Sequence, residues 1–221
     1  MRLSQCGSDL ASGAVGVWLT ASAQCEALRY NKAAMRIIGI DPGLQVTGYG
    51  VIDYERGRHA LVEGGIIETD PKAGLPARLA ALYRGLDTVV RQTQPDVAVV
   101  EQLYSKYSHP QTALLMAHAR GATLLALSHR SVEMVSYTAS MVKRALVGHG
   151  RASKRQVAGM VAQMLGVSLD DISDHVSDAL ALALCHSTPW ALAQGPGSGR
   201  FVALDGQLCA PHLPFRRRRR L

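Results

Sequence analysis

Between residues 36 and 69 three strand-like segments follow one another directly, and helices alternate with strands only after them. That order is the strongest constraint on the fold, because successive strands followed by alternating elements build a mixed sheet flanked by helices. Arg36–Ile40 reads as a buried strand stopped by the turn Asp41-Pro42-Gly43. Thr47–Asp53 and His59–Thr69 read as the next two strands, and Gly64 with Gly65 predicts a bulge in the second. From Pro76 to Val90 the apolar residues Leu79, Leu82, Tyr83, Leu86, Val89 and Val90 share one helical face, and Pro95 closes that segment. Asp96–Glu101 and Val132–Tyr137 are compact strands, with a helix over Thr112–Leu127 between them in which Gly121 is a weak point. Thr138 is placed to cap a helix over Ala139–Leu146. Ser153 and Gln156 form a capping box for a helix carrying Val157, Met160, Val161, Met164 and Leu165. A last helix spans about Asp174 to His186. The expected class is α/β, with a mixed sheet of about five strands.

A chain of 221 residues can bury one sizeable core. The patterned region, residues 35–187, is the expected domain. Residues 1–34 lack periodicity and read as a disordered extension or a misassigned start. The apolar stretch Ala14–Ala23 is too short, and too poorly flanked by charge, for a secretory signal. Residues 188–221 read as a flexible basic tail ending in the run Arg216–Arg220. No apolar run approaches the roughly 20 residues that span a bilayer, so no membrane role is expected. Cys6, Cys25, Cys185 and Cys209 are scattered without metal-type spacing, which fits a reduced, cytoplasmic protein.

The formal charge of +7 comes largely from the tails, so the isoelectric point alone says little about nucleic acid. A local asymmetry says more. No carboxylate occurs between Glu133 and Asp170, whereas Lys143, Arg144, Arg151, Lys154 and Arg155 all fall there. Such a one-sign block suits a polyanion, although a solvated basic face has the same composition.

Three carboxylates stand out. Asp41 ends the first strand, where Asp-Pro-Gly is also an ordinary turn, and Glu101 closes D-V-A-V-V-E, where a solvated strand end is the plain alternative. Asp178 sits in S-D-A-L-A-L-A-L, a helix apolar enough to be largely buried, so its charge calls for a partner. Carboxylates converging at one rim of a sheet repel unless a divalent cation joins them. Mg²⁺ favours carboxylate and phosphate oxygens, and two ions roughly 4 Å apart serve phosphodiester hydrolysis.

The segments R-I-I-G-I-D-P-G-L-Q-V-T-G-Y-G-V-I-D (36–53), V-V-E-Q-L-Y (99–104), H-A-R-G (118–121) and S-D-A-L-A-L-A-L (177–184) resemble, in order and spacing, the signature of the RuvC family of Holliday-junction resolvases. The resemblance covers residues 36–186. It implies an RNase H-like fold and a structure-selective endodeoxyribonuclease of recombination and repair that makes paired symmetric nicks. It implies Mg²⁺ or Mn²⁺ as cofactor, two ions per subunit. Asp41, Glu101 and Asp178 match metal-binding, catalytic positions of the family. Where the family often has Asp, this chain has His175, as some members do. Imidazole tolerates Mn²⁺ better than Mg²⁺, so activity with Mn²⁺ at least equal to that with Mg²⁺ is expected. His175 could instead transfer protons or simply begin a helix, and Asp174 is a lesser candidate for the same face. Tyr104 matches a family aromatic that engages bases at the junction centre, though a packed loop residue is the alternative, and Lys106 follows it. Lys143 and Lys154 match basic positions near the scissile phosphate, with Arg144, Arg151 and Arg155 as backbone contacts. The resemblance further implies a homodimer on a four-way DNA junction and a branch-migration partner of the RuvAB type. The helix with Leu114, Leu115, Leu124 and Leu125 is the candidate dimer contact, although core packing explains those leucines as well.

Two other classes compete. Sugar kinases and actin-like ATPases also open on an Asp-x-Gly turn, but they need a second domain and phosphate loops that this chain lacks. A non-catalytic junction-binding protein would keep the fold and lose the carboxylate chemistry.

Overall fold

The computed structural model describes residues 34–103 and 110–188. Expectations for both tails, and for Tyr104 and Lys106, lie outside the described residues.

The chain runs β1 (Ala34–Asp41), β2 (Val46–Glu55), β3 (Arg58–Glu68), α1 (Leu75–Thr93), β4 (Val97–Glu101), α2 (Pro110–His129), β5 (Glu133–Tyr137), α3 (Ala139–Val147), α4 (Lys154–Leu165), a short 3-10 turn (Leu169–Asp171) and α5 (Asp174–Ser187). The five strands form one sheet in the order β3-β2-β1-β4-β5. β1, β2 and β3 pair antiparallel, whereas β4 and β5 run parallel to β1 and to each other. The mixed sheet expected from the order of elements is therefore present.

Strand alternation sorts the core into two layers. Ile37, Val97, Val99, Val135 and Tyr137 pack with α3, α4 and α5 on one face. Ile38, Ile40, Ala98 and Val100 pack with α1 and α2 on the other. Central strands buried on both faces explain the unbroken apolar runs of β1 and β4.

Local chemistry sets the helix ends. The Thr138 side chain accepts from the Met141 N–H at the start of α3, and Gly148 closes that helix in the left-handed region at φ 89°. Ser153 and Gln156 form the expected capping box at α4. Ser173 caps α5 by accepting from Val176.

The bulge is not at the glycines. The β2–β3 register shifts between Val51, which pairs with Glu63, and Ile52, which pairs with Leu61, leaving Val62 as the extra residue. Gly64 and Gly65 serve close packing instead. A Cβ at Gly64 would meet Val176 of α5 at 2.8 Å, and one at Gly65 would meet the Tyr49 hydroxyl at 2.7 Å and its ring at 2.9 Å.

Candidate active site

β1 and β4 are parallel neighbours, with Ile40 beside Val100, so Asp41 and Glu101 close the two strands side by side. Each shares the alternation of the residues facing α5: Ile37 and Gly39 precede Asp41, and Val97 and Val99 precede Glu101. Both carboxylates thus leave the same rim of the sheet on the same side. α5 crosses directly above them. A Cβ at Gly39 would run into the Ala179 carbonyl, and one at Gly48, the cross-strand partner of Asp41, would run into the His175 carbonyl. Glycine at these two positions lets the helix backbone lie on the sheet and sets the first turn of α5 over Asp41.

The result is a crowded anionic rim. Imidazole Nδ1 of His175 lies 3.6 Å from Asp41 Oδ2. Glu101 and Asp41 share a side-chain hydrogen bond. Burial, followed by the neighbouring Asp41 and Asp178 charges, pushes the Glu101 carboxyl up to about 8, against a small opposing pull from Lys154. Lys154, in the first turn of α4, donates from Nζ to Asp178 Oδ2 at 2.8 Å. Asp178 has the partner its apolar neighbours call for, but that partner is the Lys154 ammonium, and the side chain is 35% exposed rather than buried. Among the described residues, no three His, Cys, Asp or Glu side chains stand close enough together to hold a metal ion as they are placed.

The remaining candidates divide by position. Asp174 is exposed on the first turn of α5, one helical turn before Asp178. Lys143 and Arg144 lie on α3, Arg151 lies in the connection to α4, and Arg155 follows Lys154. These elements belong to the layer that carries Asp178. Arg144, Arg151 and Arg155 are exposed and Lys143 is partly so, and among the described residues none of the four is in an ion pair.

One residue at the rim carried no role in the sequence reading. Arg120 of α2 donates from Nε to the Glu101 carbonyl at 3.1 Å and from Nη2 to Ser136 Oγ at 2.9 Å. Its signal was the H-A-R-G block, which marks the position without saying what it touches.

The donor set suits a hard divalent cation. Carboxylate oxygens dominate, an imidazole adjoins them, and the Glu101 acid is raised by burial and then by the Asp41 and Asp178 charges beside it.

The family model described as "Crossover junction endodeoxyribonuclease RuvC" matches residues 37–186. The chain is 45% identical over 153 residues to the crossover junction endodeoxyribonuclease RuvC of Burkholderia pseudomallei (strain 668), covering 69% of this chain and 83% of that one. It is 40% identical over 153 residues to the protein of that name from Alkaliphilus oremlandii (strain OhILAs), covering 69% and 93%. Among solved structures, Thermus thermophilus RuvC in complex with Holliday junction substrate superimposes with a TM-score of 0.68 at 31% identity, over 72% of this chain and 96% of that one.

Proposed function

The chain belongs to the RuvC family of crossover junction endodeoxyribonucleases, and from that premise we propose that it resolves Holliday junctions by paired symmetric nicks made at the rim of Asp41, Glu101 and Asp178. Its sheet and helices are those of the RNase H-like fold. The observation that carries the reading is the convergence of carboxylates from β1, β4 and α5 at one edge of the sheet.

Nucleases of this family are metal-dependent. Asp41, Glu101, Asp178 and His175 would hold two divalent ions, Mg²⁺ or Mn²⁺, which when bound activate the attacking water and stabilise the leaving oxygen. The chain's own groups do the rest. Lys154 holds Asp178 in place and sits 75% exposed, so an incoming phosphate can draw its ammonium away from the carboxylate. Lys143, Arg144, Arg151 and Arg155, none of them in an ion pair among the described residues, offer cations along the same layer for the DNA backbone. Arg155 occupies the first turn of α4, where the helix dipole disfavours cations, and unlike Lys154 it has no carboxylate partner among the described residues, so an anionic ligand explains its placement better than stability does. His175 is exposed beside Asp41. Tyr104 and Lys106 follow Glu101 in the chain and are assigned to bases and backbone at the junction centre.

Two such sites related by a two-fold axis suit a substrate that needs two nicks in strands of like polarity. The dimer contact is assigned to α2, whose Leu114, Leu115 and Leu125 are 62%, 41% and 51% exposed. The protein would act in the cytoplasm with a branch-migration complex of the RuvAB type.

The deciding experiment incubates the protein with a synthetic four-way junction and a linear duplex, each with Mg²⁺ or Mn²⁺. Paired symmetric nicks in the junction alone are expected, with Mn²⁺ at least matching Mg²⁺. Asp41→Asn with Asp178→Asn should abolish cleavage and leave junction binding intact. Continued cutting by that double variant refutes the metal-site reading.

A further inference from the structure

α2 is an apolar helix with one permanent charge. Over Pro110–His129 it carries no Asp, Glu or Lys, and Arg120 is its single arginine. Residues on either side of it, Ala119, Thr123, Ala126 and Leu127, are fully buried. A guanidinium on such a face is expensive: burial lowers the Arg120 pKa, and the nearby Glu101 charge offsets only part of that. A leucine or methionine would pack there at less cost, so the arginine calls for a reason beyond packing.

The reason is visible in what it grips. Strand alternation sends the Glu101 side chain towards α5, while α2 lies on the opposite face of the sheet. From behind the sheet, Arg120 reaches the Glu101 carbonyl with Nε and Ser136 Oγ with Nη2. Glu101 is the last residue of β4, and the peptide that follows it is held to β5 on its N–H side, where Gln102 donates to the Tyr137 carbonyl at 2.9 Å; on its carbonyl side the hold is Arg120. The end of a strand is where a backbone frays, and a carboxylate carried there wanders with it. Arg120 ties that end to β5 with a planar fork whose two donors have a fixed relation.

We infer that Arg120 is a positioning residue for Glu101: its guanidinium, bridging the Glu101 carbonyl and Ser136 from the α2 side, holds the carboxylate in the place where it binds a divalent cation. The inference rests on the reading of Glu101 as a metal ligand. Arg120 touches neither substrate nor metal; it acts through the peptide it holds.

Arg120→Met keeps length and apolar bulk but removes the fork, and Arg120→Lys keeps the charge with a single donor head. Calorimetric titration of the DNA-free protein with Mn²⁺ is the primary readout. Arg120→Met should raise the Mn²⁺ dissociation constant about tenfold, as loss of a ligand's supporting contact does, with Arg120→Lys in between. Junction binding in EDTA should stay as in wild type, and excess Mn²⁺ should restore part of the lost cleavage rate. Leu86→Ala, in the core of α1, provides a variant destabilised away from the rim. Should Leu86→Ala weaken Mn²⁺ binding as much as Arg120→Met does, or should both Arg120 variants bind Mn²⁺ like wild type, the inference is overturned. Glu101→Gln separates the two claims. If it also leaves Mn²⁺ affinity unchanged, the ligand reading itself fails; if it alone loses affinity, only the role of Arg120 fails.

Discussion

Glu101 carries the electrostatic strain of the rim, and its pH dependence follows from that. Burial and the neighbouring Asp41 and Asp178 raise its carboxyl from an ordinary 4.5 to about 8. Below the lower value both folded and unfolded chains hold the proton. Between the two values only the folded chain holds it, so unfolding releases a proton and stability falls as pH rises, levelling off above the higher value. In EDTA, the melting temperature should therefore decline from about pH 5 to about pH 8, a loss on the order of 2 kcal/mol after allowance for coupling among the carboxylates. Glu101→Gln should flatten the decline, and saturating Mn²⁺ should reverse it, because the cation binds the ionised form. A wild-type profile identical to that of Glu101→Gln would count against the crowding argument. At this scale Asp41 and Glu101 are legible in the sequence, since each closes an apolar run and alternation assigns its side. The Lys154–Asp178 pair is not, because 24 residues separate its members and periodicity does not say which helices pack together. Arg120 is half legible: its motif marks it, but a contact to a carbonyl leaves no pattern in residue types.

The elements were legible to within a few residues wherever a cap or a breaker stands at their ends: Thr138, Ser153 and Pro95 all mark real boundaries. The bulge was not, because glycine in a strand signals either a bulge or a close approach, and here Val176 and the Tyr49 ring use the space. The same close approach makes α5 sensitive to one methyl group. In Gly39→Ala the new Cβ would strike the Ala179 carbonyl and lie 2.8 Å from the Ala183 nitrogen, both rigid helix backbone. A cost of roughly 3 kcal/mol in urea denaturation is expected. Cleavage should fall further than stability accounts for, since α5 carries His175 and Asp178. α4 offers the opposite test. Arg155→Glu places an acid where the helix dipole favours one and should stabilise the fold by about 0.5 kcal/mol. It should also weaken junction binding and reduce the slope of log affinity against log salt by about one. Tighter or unchanged junction binding would remove Arg155 from the DNA face.

At the scale of the whole molecule, one site makes one nick, and symmetric resolution needs a second site held at a fixed spacing. α2 faces two ways: Arg120 turns towards the sheet, while Leu114 and Leu125 are more than half exposed. Residues 114 and 125 are three helical turns apart and so form one stripe. Two or three leucines do not make an interface, since a stable one buries about 1,600 Å² in total, but its binding energy concentrates in a few central apolar anchors. Charges placed on that stripe would have to be desolvated on association, at a cost of several kcal/mol that the dimer cannot recover. On the proposal that α2 forms the dimer contact, the wild type should sediment as a dimer and Leu114→Glu with Leu125→Glu as a monomer at the same concentration. The fold should survive, because these side chains already face water in the single chain. The telling readout is the product from a cruciform held in a supercoiled plasmid. A dimer cuts both strands within the lifetime of one complex and yields linear DNA, whereas a monomer nicks once, relaxes the plasmid and lets the cruciform be reabsorbed. Nicked circles with the same metal dependence would assign α2 to dimerisation and leave the rim intact; linear product from a charge-substituted α2 would move the two-fold axis elsewhere on the molecule.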